Sequence, residues 1–210
     1  MSDFWEKSWQ ELQPERLETY IHHFDLAPDS LIRELHSRGV TTVCDGGCGC
    51  GIYSLKLAAN GFCVEGFDIS LRAAEIASAL LQQAGFSANF RQASVLDTGY
   101  DSDTFDCVIC RDVVDHIPKA DGFAAIRELL RITRPGGLVF FTFDPLDAEY
   151  EAEPHRVSPQ GDYQFTHGKW KGMVFHPYSA REFQQLIPAG ADFQMENWED
   201  GLLVCIKKSV

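Results

Sequence analysis

Thr42-Val43-Cys44-Asp45-Gly46-Gly47-Cys48-Gly49-Cys50-Gly51 is the stretch that decides the fold. Its opening residues, β-branched and apolar, read as a buried strand ending at Asp45. Four glycines among the next six positions give a turn with almost no side-chain bulk, and Ile52 to Asn60 has helical character. Glycine stands where backbone takes positive φ or comes close to a ligand. One crossover later a second strand, Cys63 to Phe67, ends at a lone acid, Asp68, seventeen positions beyond Gly51. Strand, glycine turn, helix and an acid at the next strand's end make the layout of a nucleoside-binding half-fold.

The spacing of the glycines separates two cofactors that share this layout. A dinucleotide fingerprint, G-x-G-x-x-G, starting at Gly47 requires a glycine at position 52, which is Ile52; starting at Gly46 it fails at Cys48. What remains is Asp45-x-Gly47-x-Gly49-x-Gly51, which resembles the first motif of the class I S-adenosylmethionine-dependent methyltransferases. Further matches follow in order: Val64 to Ser70 for the second strand, Arg91 to Asp97 for the adenine region, Thr104 to Asp112 for the fourth strand, and Arg134-Pro135-Gly136-Gly137 leading into the fifth. The resemblance spans about residues 40–143, two-thirds of the chain. It implies S-adenosylmethionine as cofactor, with Asp45 toward its ammonium end and Gly46, Gly47, Cys48, Gly49 and Gly51 as the loop beneath it. Asp68 would grip the ribose with Ile69 beside it, Ser94 and Val95 would meet the adenine, and Arg111 would close the wall. Many relatives carry Asp at the position of Ser94, so a weaker adenine anchor is expected here.

Composition narrows the function classes. The 210 residues suffice for one domain with a sizeable core. The net charge of −13 repels phosphate backbones, and no Lys/Arg cluster interrupts it. A small-molecule acceptor is expected, with no nucleic-acid or membrane partner; no apolar run reaches the ~20 residues of a membrane span. Met1 to Glu6 lacks a basic start and an apolar stretch, so a cytoplasmic location is expected. Nothing in the sequence sets an oligomeric state. Seven cysteines in such a chain read as free thiols. Cys107-x-x-Cys110 sits in a strand, where residues three apart face opposite sides, so no metal site is expected there or elsewhere.

Elements follow from periodicity and punctuation. Trp5, Trp9 and Leu12, then Leu17, Tyr20, Ile21 and Phe24, predict one or two amphipathic helices, and Pro28-Asp29-Ser30 opens another that Gly39 ends. Ser70 caps a helix running to Gln83, a strand lies near Ser87 to Arg91, another spans Phe105 to Cys110, and Lys119 to Arg131 is helical. Leu138 to Phe143 is the fifth strand. Strands alternating with helices give an α/β fold: a Rossmann-like, doubly wound, mostly parallel sheet, with Asp192 to Trp198 and Leu202 to Lys207 as a closing antiparallel pair. Asp144 to Gly161 reads as a long acidic loop, Tyr163 to Thr166 and Met173 to Phe175 as a hairpin, and Ser179 to Glu182 as a capping box. A single domain is expected: 1–39 a helical cap, 40–143 the cofactor core, 144–210 lid, hairpin and closing strands.

Ligands of open parallel sheets bind beyond the strands' carboxyl ends. Asp112, Asp115 and His116 are the candidates for general-base catalysis, needed only where the acceptor must lose a proton. Asp144, His167 and Lys169 are further side chains able to face the transferred methyl. Trp5, Trp9 and Tyr53 can lend aromatic faces to a cationic cofactor, worth about 0.5–2 kcal/mol each. Each has a plainer reading: His116 as a packed histidine, Asp112 as a helix cap, the tryptophans as a helix staple, the acids of Asp144, Asp147, Glu149, Glu151 and Glu153 as a solvated loop. The reaction expected is methyl transfer to an O, N or S atom of a small molecule; the alternatives are cofactor binding without turnover and an NAD-binding oxidoreductase.

Overall fold

The computed structural model describes residues 2–10, 12, 27–87, 89–146, 148–198 and 201–209. Leu17, Tyr20, Ile21, Phe24 and Asp147, which entered the sequence reading, lie outside the described residues. Helix α1 (Ser2–Gln10) is followed by α2 (Asp29–Ser37), β1 (Thr42–Gly46), α3 (Ile52–Ala59), β2 (Cys63–Asp68), α4 (Leu71–Gln83), β3 (Asn89–Gln92) and β4 (Phe105–Arg111). A 3-10 turn (Val114–His116) leads to α5 (Lys119–Ile132) and β5 (Thr133–Phe143). Then come α6 (Ala148–Ala152), β6 (His155–Val157), β7 (Tyr163–Phe165), β8 (Val174–Phe175), α7 (Ala180–Leu186), β9 (Asp192–Trp198) and β10 (Gly201–Lys207).

Seven strands form one sheet in the order β3-β2-β1-β4-β5-β10-β9. The first five run parallel, whereas β10 lies antiparallel to both β5 and β9. The chain order reverses between β1 and β4, and a crevice opens there beyond the strand ends. The central strands are apolar on both faces because helices cover both. On one face Val108, Cys110, Val139 and Phe141 pack with Ile126, Leu129 and Phe183. On the other Val43, Cys107, Ile109 and Phe140 pack with Ile32, Leu35 and Leu57. Cys107 and Cys110 therefore belong to different cores, as the strand period requires.

Local signals place the element ends. Ser70 accepts the Ala73 amide at the start of α4, 3.1 Å away. Ser179 and Glu182 make a reciprocal capping box on α7. The segment 144–161 differs from the expected loop, since α6 and β6 lie within it. His155 to Val157 pairs with β7, so the expected hairpin is a three-stranded sheet, β6-β7-β8. Its packing is aromatic: Phe165, Met173 and Phe175 are buried with Phe4, Trp5, Tyr150 and Trp170 against them. Glu149, Glu151 and Glu153 around Tyr150 hid this apolar face from a reading by composition. Among the described residues no helix is long and apolar enough to cross a membrane.

Candidate active site

The glycine turn is bound to the second strand before any ligand enters. The amides of Gly47 and Cys48 both donate to the Phe67 carbonyl, at 2.8 and 3.0 Å. The Gly49 amide donates to Asp68 Oδ2 at 3.0 Å, and the Ser70 amide to Asp68 Oδ1 at 2.9 Å. Asp68 is 6% exposed. Burial pushes its pKa up while these two amides pull it back. Gly49 sits at φ +52°, and a Cβ built there would stand 2.9 Å from the Trp9 ring. The indole thus occupies the space that a side chain at position 49 would claim. The absent side chain at Gly49 lets α1 close over the loop.

Asp45, 3% exposed, accepts a hydrogen bond from Ser54 Oγ. Burial raises its pKa to about 6 against the opposing effects of Ser54 and Arg111. The Arg111 guanidinium lies 4.5 Å from the Tyr53 ring centre and 3.7 Å from the Asp112 carboxylate. Glu6 on α1 accepts from Ser70 Oγ at 2.7 Å, which ties the helix to the cap of α4. Ser94 Oγ accepts the Leu96 amide at 3.1 Å in its own turn.

Beyond Asp45 the crevice widens toward β4, β5 and the small sheet. Asp112 takes φ +49° and accepts from Thr142 Oγ1 at 2.7 Å. It does not cap the 3-10 turn, whose preceding residue is Val113 and whose start carries no side-chain bond. Burial and the Asp144 carboxylate push Asp112 up. Asp115 is fully buried; its Oδ2 accepts the Asp144 amide at 2.9 Å, while Oδ1 has no hydrogen-bond partner among the described residues. Burial raises it to about 7 in spite of His116 beside it. The His116 ring lies edge-on to Trp5, centres 5.0 Å apart. Its Nδ1 stands 3.3 Å from the Val174 carbonyl and its Nε2 3.8 Å from Asp144 Oδ2. Burial disfavours the charged ring, but Asp115 and Asp144 outweigh it and the pKa rises. Because a carbonyl can only accept, the neutral ring carries its proton on Nδ1 and keeps a lone pair on Nε2.

One cavity of about 670 Å³ joins these parts. It takes in Trp5, Trp9, Asp45, Gly47, Cys48, Gly49, Tyr53, Asp68, Ile69, Ser94, Val95, Arg111, Asp112 and His116 from the sequence candidates, with Asp144 and Lys169. Gly46, Gly51 and Asp115 are not on its wall. Gly46 is the last residue of β1, beneath Phe67. Gly51 caps α3 and faces α4, where its Cβ would stand 2.7 Å from that of Ala77. Asp115 lies behind His116, and His167 is exposed. The reading missed Phe4, Tyr150, Trp170 and Met173, which also line the cavity. Phe4, one residue from Trp5, carried the nearest available signal; Tyr150, Trp170 and Met173 arrive only by folding of the small sheet. Asp115, His116 and Asp144 are the one group, among the described residues, whose ligand atoms lie within 4.8 Å of one another, close enough to share a cation.

A family model described as a methyltransferase domain matches residues 43–137. Residues 43–137 thus lie in a methyltransferase domain, and the fold around it is that of the class I S-adenosylmethionine-dependent methyltransferases. Its relatives include the ubiquinone biosynthesis O-methyltransferase of Nitrosomonas europaea, 33% identical over 171 residues, 76% of this chain and 66% of that protein. The protein of the same name from Paraburkholderia xenovorans is 32% identical over 60% of this chain and 56% of its own length. The chain thus spans less than two-thirds of the curated relatives it matches. A solved S-adenosylmethionine-dependent methyltransferase of Methanosarcina mazei superposes with a TM-score of 0.70 at 19% identity, over 89% of this chain and all of that one. Magnesium protoporphyrin IX methyltransferase from Synechocystis, solved with bound S-adenosylhomocysteine, gives 0.65 at 21% identity, over 86% and 81%. These two likenesses concern the fold. The cofactor of the family is S-adenosylmethionine, and the site fits it: a turn with glycine at 47 and 49 where backbone can lie close to a ligand, an oriented carboxylate at Asp68, and a buried carboxylate at Asp45 for a cationic end.

Proposed function

We propose that this chain methylates a hydroxyl oxygen of a small molecule with an apolar, ring-sized body, and that His116 takes the hydroxyl proton. When bound, S-adenosylmethionine supplies a methyl group on a positively charged sulfur. Residues 40–143 would hold it: Asp68 would accept from the ribose hydroxyls, the glycine turn would let backbone lie close against the amino-acid end, and Asp45 would balance the ammonium. Trp5, Trp9 and Tyr53 offer ring faces to the sulfonium side. Phe4, Tyr150, Trp170 and Met173 bound the acceptor space and exclude water. Aligning acceptor oxygen, methyl and sulfur is the larger part of the rate enhancement, since oriented pairs reach effective molarities of roughly 10⁵–10⁸ M.

One observation carries the oxygen reading: a cavity-lining histidine whose Nδ1 stands 3.3 Å from the Val174 carbonyl, which can only accept, so that the ring in its neutral form holds its lone pair on Nε2, 3.8 Å from Asp144. An amine or thiol attacks without help of this kind more readily than a hydroxyl does. The O-methyltransferase names of the curated relatives support the same choice. The test is a panel of phenols, catechols, amines and thiols offered to the purified protein with labelled cofactor. Turnover of hydroxylated rings, lowered 10²–10⁴-fold by His116→Ala at unchanged cofactor affinity, is expected. Turnover of amines alone, or full activity of His116→Ala, rejects it. The unpartnered Oδ1 of Asp115 favours a second reading in which Asp115, His116 and Asp144 share a divalent cation that orients the hydroxyl. Exhaustive chelation separates the two, because only the second loses activity that added Mg²⁺ restores.

A further inference from the structure

The three-stranded sheet does more than cover the acceptor space. Strand β8 lies against the 3-10 turn, and together with the residue after it, His176, holds the turn at two points. The Val174 carbonyl takes the His116 Nδ1 proton at 3.3 Å, and the His176 amide donates to the Asp115 carbonyl at 2.7 Å. Both turn residues are therefore set by backbone groups of β8 and of the residue that follows it. A two-residue strand with only two register pairs to β7 cannot fix itself to tenths of an ångström. Its fixed point is a buried polar pair just past its end.

That pair is His176 and Asp162, 2% and 4% exposed, with Nδ1 3.1 Å from Oδ1. Asp162 is itself anchored from two other elements. The Lys119 amide at the start of α5 donates to Oδ1 at 3.0 Å, and Ser158 Oγ donates to Oδ2 at 2.8 Å. Tyr178 stands edge-on to the His176 ring, centres 4.4 Å apart. The ring's Nε2 has no hydrogen-bond partner, and Glu182 Oε1, 3.9 Å away, is committed to Lys119 Nζ at 2.6 Å. A buried polar pair of this kind, off the wall of the cavity, is costly to bury unless its hydrogen bonds are met.

We propose that Asp162 and His176 are positioning residues for His116: they pin β8 so that the Val174 carbonyl holds the imidazole with its proton on Nδ1 and its lone pair on Nε2 toward the acceptor. The inference rests on the reading of His116 as the base, but the tautomer it predicts exists without turnover. If the pin is removed, β8 shifts from the turn, the carbonyl bond is lost, and the proton moves to Nε2. The lone pair then points away from the acceptor. Outer partners of this kind set ring orientation and basicity in many histidine sites.

The experiment compares His176→Phe and Asp162→Ala with His176→Asn, whose side-chain amide can still donate to Asp162. In the cofactor-free protein, at a pH above the raised pKa of His116 so that its ring is neutral, nitrogen-15 spectra of the histidine rings are expected to report His116 as Nδ1-protonated in the parent and in His176→Asn, and as Nε2-protonated in the other two. In the loaded enzyme, kcat is expected to fall at least tenfold in His176→Phe and Asp162→Ala, with cofactor affinity within twofold and with recovery in His176→Asn. Combined with His116→Ala, neither substitution should lower kcat further. An unchanged His116 tautomer overturns the inference, as does a loss that adds in full to that of His116→Ala. Because the spectra need no acceptor, the tautomer decides this inference even where His116→Ala proves fully active and the base reading falls alone.

Discussion

Asp68 is oriented by backbone before it meets a ligand, and that makes its contribution separable. Both of its oxygens accept amides, from Gly49 and Ser70, and each keeps a lone pair toward the cavity. Two charge-assisted hydrogen bonds to a ribose are worth about 1.5–3 kcal/mol each. Asp68→Ala should therefore weaken cofactor binding by roughly 10²-fold or more, read by titration calorimetry; unchanged affinity would remove the ribose assignment. The acid was legible in the sequence because it follows a strand at a fixed crossover from the glycines. Ser94 was legible as a position, but its local bond to the Leu96 amide was not. Gly46, Gly51 and Asp115 show the limit of motif reading: a glycine in a motif serves a helix junction as readily as a ligand, as Gly51 does against Ala77.

Among the elements, α1 has the least independent support. It is nine residues long, too short to be stable alone in water, so its contacts decide whether it stays. Those contacts are Trp9 on the glycine turn, Glu6 on Ser70, and Phe4 and Trp5 on the small sheet. Gly49→Val puts branched carbons where the Trp9 ring lies and forces a β-branched residue to positive φ. It should release α1 and weaken the cofactor at least tenfold, with an increase of amide exchange confined to α1 and the turn. Trp9→Ala isolates the first effect: faster cofactor dissociation, by about 10-fold for the loss of 1–2 kcal/mol of ring contact, with the turn intact. Dissociation at the parent rate would show that α1 is not a roof over the cofactor. The amphipathic spacing announced this helix, and apolar runs announced β1, β2, β4 and β5 because both faces of a parallel strand are buried. Segment 144–161 was opaque because its strand is three residues long and gains its partner only from β7.

At the scale of the whole molecule the site is a reservoir of raised pKa values. Asp45 at about 6, Asp115 at about 7, and Asp68, Asp112 and His116 by direction all hold protons more tightly folded than unfolded. For Asp45 and Asp115, between their ordinary values near 4 and the folded ones of about 6 and about 7, the native state binds more protons than the unfolded chain, and Asp68 and Asp112 act in the same direction. Stability then falls as pH rises through that window, by about 1.4 kcal/mol per pH unit for each group caught in it. The raised His116 adds stability below its ordinary value that is lost as pH passes its folded one. Glu128 and Glu182, lowered to about 2 by Arg131 and by Lys119, act oppositely, but only as pH drops below about 4.5. The net charge of −13 grows more repulsive with alkalinity and adds to the fall. The cofactor-free protein should thus be most stable near pH 5 and lose roughly 5 °C or more of melting temperature by pH 8, at about 2–4 °C per kcal/mol for a chain of this size. Asp115→Asn keeps an acceptor for the Asp144 amide while removing a fully buried ionisable carboxyl. It should melt close to the parent at pH 5 and above it at pH 8. Scanning calorimetry across this range is the check, and a parent curve rising from pH 5 to 8, or an Asp115→Asn protein less stable at pH 8, would mean that the carboxylates around the crevice are not held protonated by burial.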